Sequence, residues 1–254
     1  MLGVCNIVTL ILQSAYILHH YPYQNNSVLL KLFTEQDGLM SAIAKGAKRP
    51  RSSWYGLVRP FVSLQLAYGG RGQVKSIKQM EATQSLIHLE QLAMLAGFYI
   101  NELLLYFLRP DDPHSALFAD YQHCLISLHA EPGSIELALR RFEWRLLNEL
   151  GYAPSLRQDA SGRAIVDGQC YRVVPGSLPV AISSAEIDDS NQCHYPGGIL
   201  LAIASGQLQD GAVMRYAKYL LRQWLDFYLE GKVLKSRKLL RSFMSQTRQK
   251  EVIN

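Results

Sequence analysis

The chain has 254 residues, of which 48% are apolar and 19% are charged, and this composition excludes a disordered or collagen-like protein. The length suits one or two domains. The net charge of +5 is unevenly spread: residues 1–80 carry nine Lys or Arg and two acids, residues 81–210 carry seven and sixteen, and residues 211–254 carry ten and three. If the basic ends meet in the fold, they form one positive surface for an acidic partner.

Short strands are predicted in the first 80 residues. Asp37-Gly38 is a strong hairpin signal, and the stretch that ends at Tyr68 alternates strictly between apolar and polar residues. The predicted strands are residues 15–18, 27–34, 39–44, 61–68 and 74–80. Five short strands without a long helix predict a small closed barrel of the OB-fold type over residues 1–80.

The apolar period changes from two to about 3.6 residues at residue 81, which predicts a mainly α-helical domain over residues 81–254. The fold class is therefore α+β, an N-terminal OB-fold β-barrel followed by helices. Residues 152–206 lack helical periodicity and are predicted to be an irregular insert with one short strand at residues 171–175. The predicted helices are Ser85–Leu108, a helix with Leu117 to Leu128 on one face, a helix from Leu139 that Gly151 ends, and helices that begin near Asp210 and Ser236.

A basic loop, residues 45–59, joins the third and fourth predicted strands. It contains no acid, and Trp54 and Tyr55 lie among its cations. Cations neutralise phosphates and aromatic rings stack on bases, so this pattern favours nucleic-acid binding over a merely solvated loop. A second group of cations follows at the next turn. The candidate DNA contacts of both groups are Lys45, Lys48, Arg49, Arg51, Arg59, Arg71 and Lys75.

Two further groups of cations lie in the helical domain. Lys232, Lys235 and Arg237 belong to a basic segment near the end of the chain. Arg140 and Arg141 lie in an otherwise acidic region, where an Arg beside an apolar groove can bind the C-terminal carboxylate of a partner. Their spacing alone favours ion pairs with Glu136, Glu143 or Glu149, and taken alone the basic segment reads as an ordinary exposed helix face.

No enzyme or metal signature is present in the sequence. It contains no P-loop, no G-x-S-x-G, no H-E-x-x-H and no dinucleotide fingerprint. Cys5, Cys124, Cys170 and Cys193 include no C-x-x-C pair, so we expect buried thiols in a reducing compartment, no metal and no cofactor. The apolar run at residues 2–12 is too short to cross a bilayer, and a cytoplasmic protein without membrane contact is expected.

The sequence resembles the RecO family of bacterial recombination mediators almost from end to end. Tyr-Ile-Asn-Glu-Leu at residues 99–103 and Arg-Arg-Phe-Glu at residues 140–143 are quite specific in this order. The matching stretches are Ala15–His19, Ser27–Phe33, Ala44–Lys48, Leu57–Phe61, Gly70–Lys75, Gly97–Leu103, Leu139–Glu143, Leu150–Tyr152 and Gly231–Arg237. Some family members carry a four-cysteine zinc site in the helical domain, and this chain lacks that pattern.

The resemblance implies a DNA repair and recombination mediator that is not an enzyme. Such proteins bind single- and double-stranded DNA, anneal complementary strands coated by the single-stranded DNA-binding protein (SSB), and with RecR help to load RecA at gaps, so RecA is an indirect partner. They also dock the acidic C-terminal tail of SSB, which makes Arg140 and Arg141 candidates for that tail. The resemblance supports the DNA contacts named above, implies that Lys232, Lys235 and Arg237 are DNA contacts as well, and implies a location at the nucleoid.

Two alternatives to the mediator hypothesis remain open. The first is a protein adaptor that docks the SSB tail on the acidic helical domain and binds DNA only incidentally. The second is an enzyme such as a nuclease. It would need a cluster of metal-binding carboxylates, and the basic segments contain none.

Overall fold

A computed structural model of the chain describes residues 11–83, 87–130, 134–183, 194–239 and 242–243. The chain divides into two compact units, Met1–Ala119 and Asp120–Asn254. The predicted α+β class, a barrel followed by a helical region, is confirmed. The predicted domain boundary near residue 80 follows the change from strands to helices and stays a prediction. The first helix nevertheless belongs to the first compact unit.

The first unit contains a closed barrel of five strands in the order β1-β2-β3-β5-β4. β3 and β5 run parallel, and the other neighbouring strands are antiparallel. The strands are β1 (Gln13–Tyr23), β2 (Ser27–Thr34), β3 (Gly38–Ala44), β4 (Leu64–Gly69) and β5 (Val74–Ala82). All five predicted strands are confirmed. β4 begins later than predicted because Phe61 adopts a φ of 68°, which interrupts an extended run.

The Asp37-Gly38 signal predicted a hairpin, and β2 and β3 form it, with Thr34 opposite Gly38. The backbone amide of Asp37 donates to the hydroxyl of Thr34 at 3.2 Å. Gly38 has a φ of 66°, and a Cβ there would lie 1.9 Å from the carbonyl oxygen of Asp112. Only glycine fits this turn, because any side chain would meet both a left-handed backbone and a neighbouring carbonyl.

Helix α1 (Gln91–Phe107) packs on β1 through a buried polar contact. Ile17 pairs with Leu32 and His19 with Lys31, which leaves Leu18 as the extra residue of a β-bulge. The Nδ2 of Asn101, which is 2% exposed, donates to the carbonyl oxygen of Leu18 at 2.9 Å. The helix therefore gives a hydrogen bond to the bulged residue of the strand.

The predicted start of α1 at Ser85 is wrong. Ser85 lies outside the described residues, residues 87–90 are not helical, and the helix begins at Gln91. Leu89 fits the helical period, yet it lies in this non-helical segment and is buried close to the helix. A Cβ on Gly97 would lie 2.9 Å from Leu89 and 2.8 Å from Phe61, so this glycine allows their close approach.

Helix α2 (Ser115–Ala130) begins in the first unit and continues into the second. The second unit also contains α3 (Ile135–Glu149), α4 (Gly197–Ala204), α5 (Gly211–Tyr228) and a sheet in the order β7-β6-β8. These strands are β6 (Cys170–Arg172), β7 (Val180–Ile182) and β8 (His194–Pro196). Among the described residues, no helix is long and apolar enough to cross a bilayer.

The helical periodicity predicted the buried faces of the second unit well. Tyr121 and Leu125 of α2, Phe142 of α3 and Trp224 of α5 are all buried, as their spacing predicts. Asp210 caps α5 by accepting from two backbone amides, at 2.8 and 3.0 Å. Within the predicted irregular insert, one short strand is confirmed as β6. β7, β8 and α4 were not predicted, because strands of three residues show no periodicity and α4 is apolar on every side.

Candidate nucleic-acid interface

The basic loop is fixed to the barrel by its backbone. The amide of Lys48 donates to the carbonyl of Asn26, in the β1–β2 turn, at 3.1 Å. Within the loop, Arg49 donates to Gly46 at 3.1 Å and Ser52 donates to Arg49 at 2.9 Å. These bonds form successive turns. The loop therefore lies against the end of the β1–β2 hairpin.

Apolar side chains of the basic loop point to the barrel core, and the cations point to solvent. Ala47 belongs to the core cluster, and the half-buried Trp54 packs against it. Tyr55 is exposed, so it is the aromatic ring of this loop that is available for a ligand. The exposed cations are Lys45, Lys48, Arg49, Arg51 and Arg59. The structure thus brings together the predicted contacts of this loop on one anchored segment.

The two predicted contacts on the next turn have different surroundings. Arg71 is exposed between β4 and β5. Lys75 is half-buried, donates to the carbonyl of Gly70 at 3.4 Å, and lines a cleft together with Asp37 and Asp111. Two carboxylates in one cleft repel a phosphate, so the local electrostatics favour Arg71 over Lys75 as a DNA contact.

The barrel carries almost no negative charge. Residues 1–80 contain two acids, Glu35 and Asp37, and both lie in the β2–β3 turn. Among the described residues of the first unit, no Lys or Arg forms an ion pair with a carboxylate. Phosphates approaching the barrel therefore meet cations whose charges are not already neutralised.

An exposed part of β1 lies beside the basic loop, and it was not predicted from the sequence as a functional surface. His19, Tyr21 and Tyr23 are exposed, and the rings of His19 and Tyr21 lie 4.4 Å apart. The pKa of His20 is lowered, first by burial and then by the positive charges of His19 and Lys48. Lys48 therefore lies close enough to β1 to act on its electrostatics. The sequence signal was the run of aromatic and histidine residues at positions 19–23.

The structure separates the two adjacent arginines of α3. Arg140 donates to Glu143 at 2.8 Å, and the Glu143 side chain is 0% exposed. A buried carboxylate needs such a partner, so Arg140 has a structural role, as its spacing alone predicted. Arg141 is exposed on the neighbouring face of the helix.

Arg141 lines a cleft of about 350 Å³ in the second unit. Arg145 also lines this cleft and lies 4.0 Å from Asp120. Burial raises the pKa of Asp120, against the opposing charges of Arg145 and His123. The apolar lining residues include Cys124, Ala138, Phe142 and Leu208. A cation at the rim of an apolar cleft suits a peptide that ends in an apolar residue with a free carboxylate.

The basic segment near the end of the chain is more neutralised than the basic loop. Arg237 forms an ion pair with Asp226, which Arg222 also approaches at 3.7 Å. Lys232 lines a small cleft with these residues, and Lys235 begins the short helix at residues 235–239. The three predicted DNA contacts of this segment therefore follow shortly after α5, and Arg237 is held by Asp226.

Among the described residues, no three His, Cys, Asp or Glu side chains form a cluster that could hold a metal ion. Cys124 is buried, and burial raises the pKa of its thiol. Cys170 is half-buried, while Cys5 and Cys193 lie outside the described residues.

Two family models match the chain. The Recombination protein O N-terminal model matches residues 8–86, and the C-terminal model matches residues 89–238. The chain belongs to the RecO family. The DNA repair protein RecO of Shigella flexneri is 40% identical over 235 residues, which cover 91% of this chain and 94% of that protein. The protein of the same name from Escherichia coli O139:H28 is also 40% identical, over 233 residues with the same coverage.

RecO membership confirms the resemblance and sets the broad role of this chain, which is DNA repair. The closed barrel is the OB-fold-like N-terminal region of the family, as the sequence predicted. The individual contact residues stay predictions, and they differ in whether acidic residues lie near them. Lys45, Lys48, Arg49, Arg51, Arg59 and Arg71 are exposed within residues 1–80, which contain only two acids, whereas Lys75, Arg140 and Arg237 have acidic neighbours.

Proposed function

We propose that this chain is a non-enzymatic mediator that binds single- and double-stranded DNA and anneals complementary strands, including strands coated by SSB. The observation that supports this most is the barrel surface, on which exposed cations have no carboxylate partners among the described residues. Phosphates that bind there release counterions, and neutralised strands repel each other less. Pairing of two complementary strands then needs no covalent step.

Family membership supports the remaining parts of the proposal. With RecR, the chain would promote loading of RecA at gaps, and it would act at the nucleoid, where its DNA lies. The DNA contacts that we propose are those of the basic loop, then Arg71, and then Lys232 and Lys235. Arg237 and Lys75 would contribute less, because each already lies near a carboxylate.

The test is annealing of two complementary oligonucleotides, each saturated with SSB. The double variant Lys48→Glu/Arg49→Glu removes two cations of the basic loop, and we expect it to anneal at least about tenfold more slowly than the wild type. Arg172→Glu/Arg215→Glu is the control, because it makes the same change in net charge on exposed residues of the other unit. Equal rates for the wild type and the loop variant would contradict the proposal. Equal losses in both variants would mean that net charge, and not this loop, matters.

The cleft beside Arg141 supports a second candidate function, a protein adaptor that docks the acidic C-terminal tail of SSB. The exposed Arg141 at this cleft would bind the terminal carboxylate of such a tail. We do not include Arg140 in this site, because its guanidinium binds the buried Glu143.

Binding of a fluorescent SSB-tail peptide tests the adaptor function. Arg141→Glu should weaken peptide binding about tenfold or more, because it places a carboxylate opposite the tail's own charges. Arg172→Glu, an exposed cation of β6, is the matched control. If Arg141→Glu also abolishes annealing of SSB-coated strands while the basic-loop variant anneals normally, the adaptor function replaces the mediator function.

A further inference from the structure

The strand β1 projects beyond the part of the barrel that helices cover. Phe33 of β2 and Tyr16 of β1 contact Phe118 at ring distances of 5.3 and 5.6 Å, so this part of the outer face is buried. Further along the strands, His19 pairs with Lys31 and Tyr21 pairs with Leu29. Residues at these positions are exposed or half-buried, so no described element covers them.

The outer side of this segment is an aromatic face, which we define as His19, Tyr21 and Tyr23. Their side chains share one face because alternate residues of a strand point the same way. Tyr21 is 45% exposed and Tyr23 is 39% exposed, and the His19 ring leans on Tyr21 at an interplanar angle of 34°. Single exposed aromatic residues are common, but three at successive outward positions of one strand form a continuous surface.

Two cations lie near the aromatic face. Lys31 lies opposite His19 and is held by a bond of 2.9 Å from its Nζ to the hydroxyl of Ser41. Lys48 of the basic loop donates its backbone amide to the carbonyl of Asn26 in the β1–β2 turn at 3.1 Å, and its charge acts on His20. No Asp or Glu occurs from residue 11 to residue 34, or from residue 38 to residue 80. The positive charge around the aromatic face therefore complements a polyanion. It offers no such complement to an uncharged apolar peptide.

We propose that the aromatic face stacks the bases of single-stranded DNA, with Tyr21 as its central residue, while Lys31 and the basic loop hold the phosphates. This inference rests on the proposed function and adds that the exposed part of β1 binds single-stranded DNA. A ring can stack on a base only when the base has an open face, and in a duplex the neighbouring base pairs cover both faces. The aromatic face therefore selects single strands, whereas the basic loop binds phosphates of either form.

The bulge at Leu18 positions this face. A bulge shifts the alternation of a strand by one residue, so it determines which side of the sheet the following residues occupy. Asn101 of α1 binds the carbonyl of Leu18 at 2.9 Å, directly before His19. Asn101 is thus a positioning residue for the aromatic face and does not itself reach the DNA.

The face also gives annealing a physical route. A base that stacks on Tyr21 is held apart from its neighbours in the strand, and its pairing edge stays open to solvent. Because stacking does not depend on the base's hydrogen-bonding groups, this surface accepts any sequence. A complementary strand could then pair with bases that are already extended and separated.

The experiment compares three ligands of equal length with the full chain: an oligo-dT, an abasic oligomer with the same phosphates, and a duplex. Tyr21→Leu removes the ring but keeps an apolar side chain of moderate size, and Tyr21→Phe keeps the ring. We expect Tyr21→Leu to weaken binding of oligo-dT about tenfold, with no change for the abasic oligomer or the duplex. Tyr21→Phe should bind all three ligands like the wild type.

Parallel measurements with Lys48→Glu/Arg49→Glu separate this inference from the proposed function. The loop variant should lose affinity for all three ligands. If Tyr21→Leu binds oligo-dT like the wild type, or loses equal affinity for the abasic oligomer, the stacking inference is wrong even when the loop variant supports the proposed function. If the wild type binds none of the ligands, both proposals fail. Circular dichroism of Tyr21→Leu confirms that the variant is folded.

Discussion

The two compact units of this chain differ in how many of their described Lys and Arg residues form ion pairs with acids. In the barrel, the Lys and Arg residues outnumber the acids so strongly that most of them cannot find a carboxylate. In the second unit, described Lys and Arg side chains form six ion pairs with acids. These pairs are Arg140–Glu143, Arg145–Asp120, Arg163–Asp159, Lys218–Glu136, Arg222–Asp226 and Arg237–Asp226.

The number of cations in a unit therefore does not by itself set its capacity to bind DNA, because paired and unpaired cations differ. An unpaired surface cation adds little to folding stability, but a phosphate can bind it without displacing a carboxylate. A paired cation must first give up its partner. Neutralising an unpaired cation of the barrel should therefore affect ligand binding, whereas neutralising a buried, paired cation of the second unit should affect folding.

The largest expected effect is on folding, at the buried pair of α3. Arg140→Met leaves the carboxylate of Glu143 buried without this partner, and we expect a loss of about 3–5 kcal/mol in the free energy of unfolding. Lys48→Met removes an exposed, unpaired cation and should change that free energy by less than about 0.5 kcal/mol. Urea unfolding followed by tryptophan fluorescence measures both free energies. The ring centroids of Trp144 in α3 and Trp224 in α5 lie 6.2 Å apart, so their fluorescence changes when this packing is lost.

The double variant Arg140→Met/Glu143→Leu serves as the control for this comparison. Replacing both members of a buried ion pair by apolar residues leaves no unpaired charge, so the variant should recover most of the stability that Arg140→Met loses. If Arg140→Met were as stable as the wild type, Arg140 would be available to a ligand, and the contrast between the two units would break down at this residue.

A smaller effect is expected on the salt dependence of DNA binding. In a plot of the logarithm of affinity for single-stranded DNA against the logarithm of salt concentration, each lost phosphate contact should reduce the slope by about 0.7. Lys48→Met should show this reduction. Arg237→Met should reduce the slope by less, because Arg237 already pairs with Asp226. Fluorescence anisotropy over a range of salt concentrations measures both slopes, and a larger change for Arg237→Met would reverse the assignment.

The smallest expected effect is on the titration of His20. Lys48 is one of the charges that lower the pKa of this side chain, together with His19, while burial is the largest cause. Lys48→Met should therefore raise the pKa of His20 part of the way towards its ordinary value, because burial still favours the neutral ring. NMR titration of the imidazole protons measures the shift. Lys218→Met is the control, and an unchanged His20 in Lys48→Met would place Lys48 away from β1.

Much of the fold could be predicted from the sequence because its signals are local. The Asp37-Gly38 turn, the alternation along the strands and the helical period around Phe142 each arise within a few residues, and all three were confirmed. The prediction was wrong at residues 87–90, which are not helical, although Leu89 fits the helical period and is buried. Three-residue strands such as β7 carry too few positions to show a period at all.

The candidate site could be predicted only as a collection of residues. The sequence singled out Lys48 and Arg49 as a basic loop, but not the aromatic face beside them. It also treated Arg140 and Arg141 as equivalent, and the structure gives one a buried partner and places the other in a cleft. Adjacent residues on a helix point about 100° apart, so their surroundings depend on which helices pack on each side.

By itself, the sequence determined the α+β class, the family and the concentration of unpaired positive charge in the first 80 residues, because composition and local periodicity do not depend on how distant segments meet. Only the tertiary structure decided which cations keep their charge available. It also decided that a bulge held by Asn101 sets the outward side of β1, and that Lys48 lies beside that strand. Those properties arise from contacts between residues far apart in the chain, for which a single sequence carries no local signal.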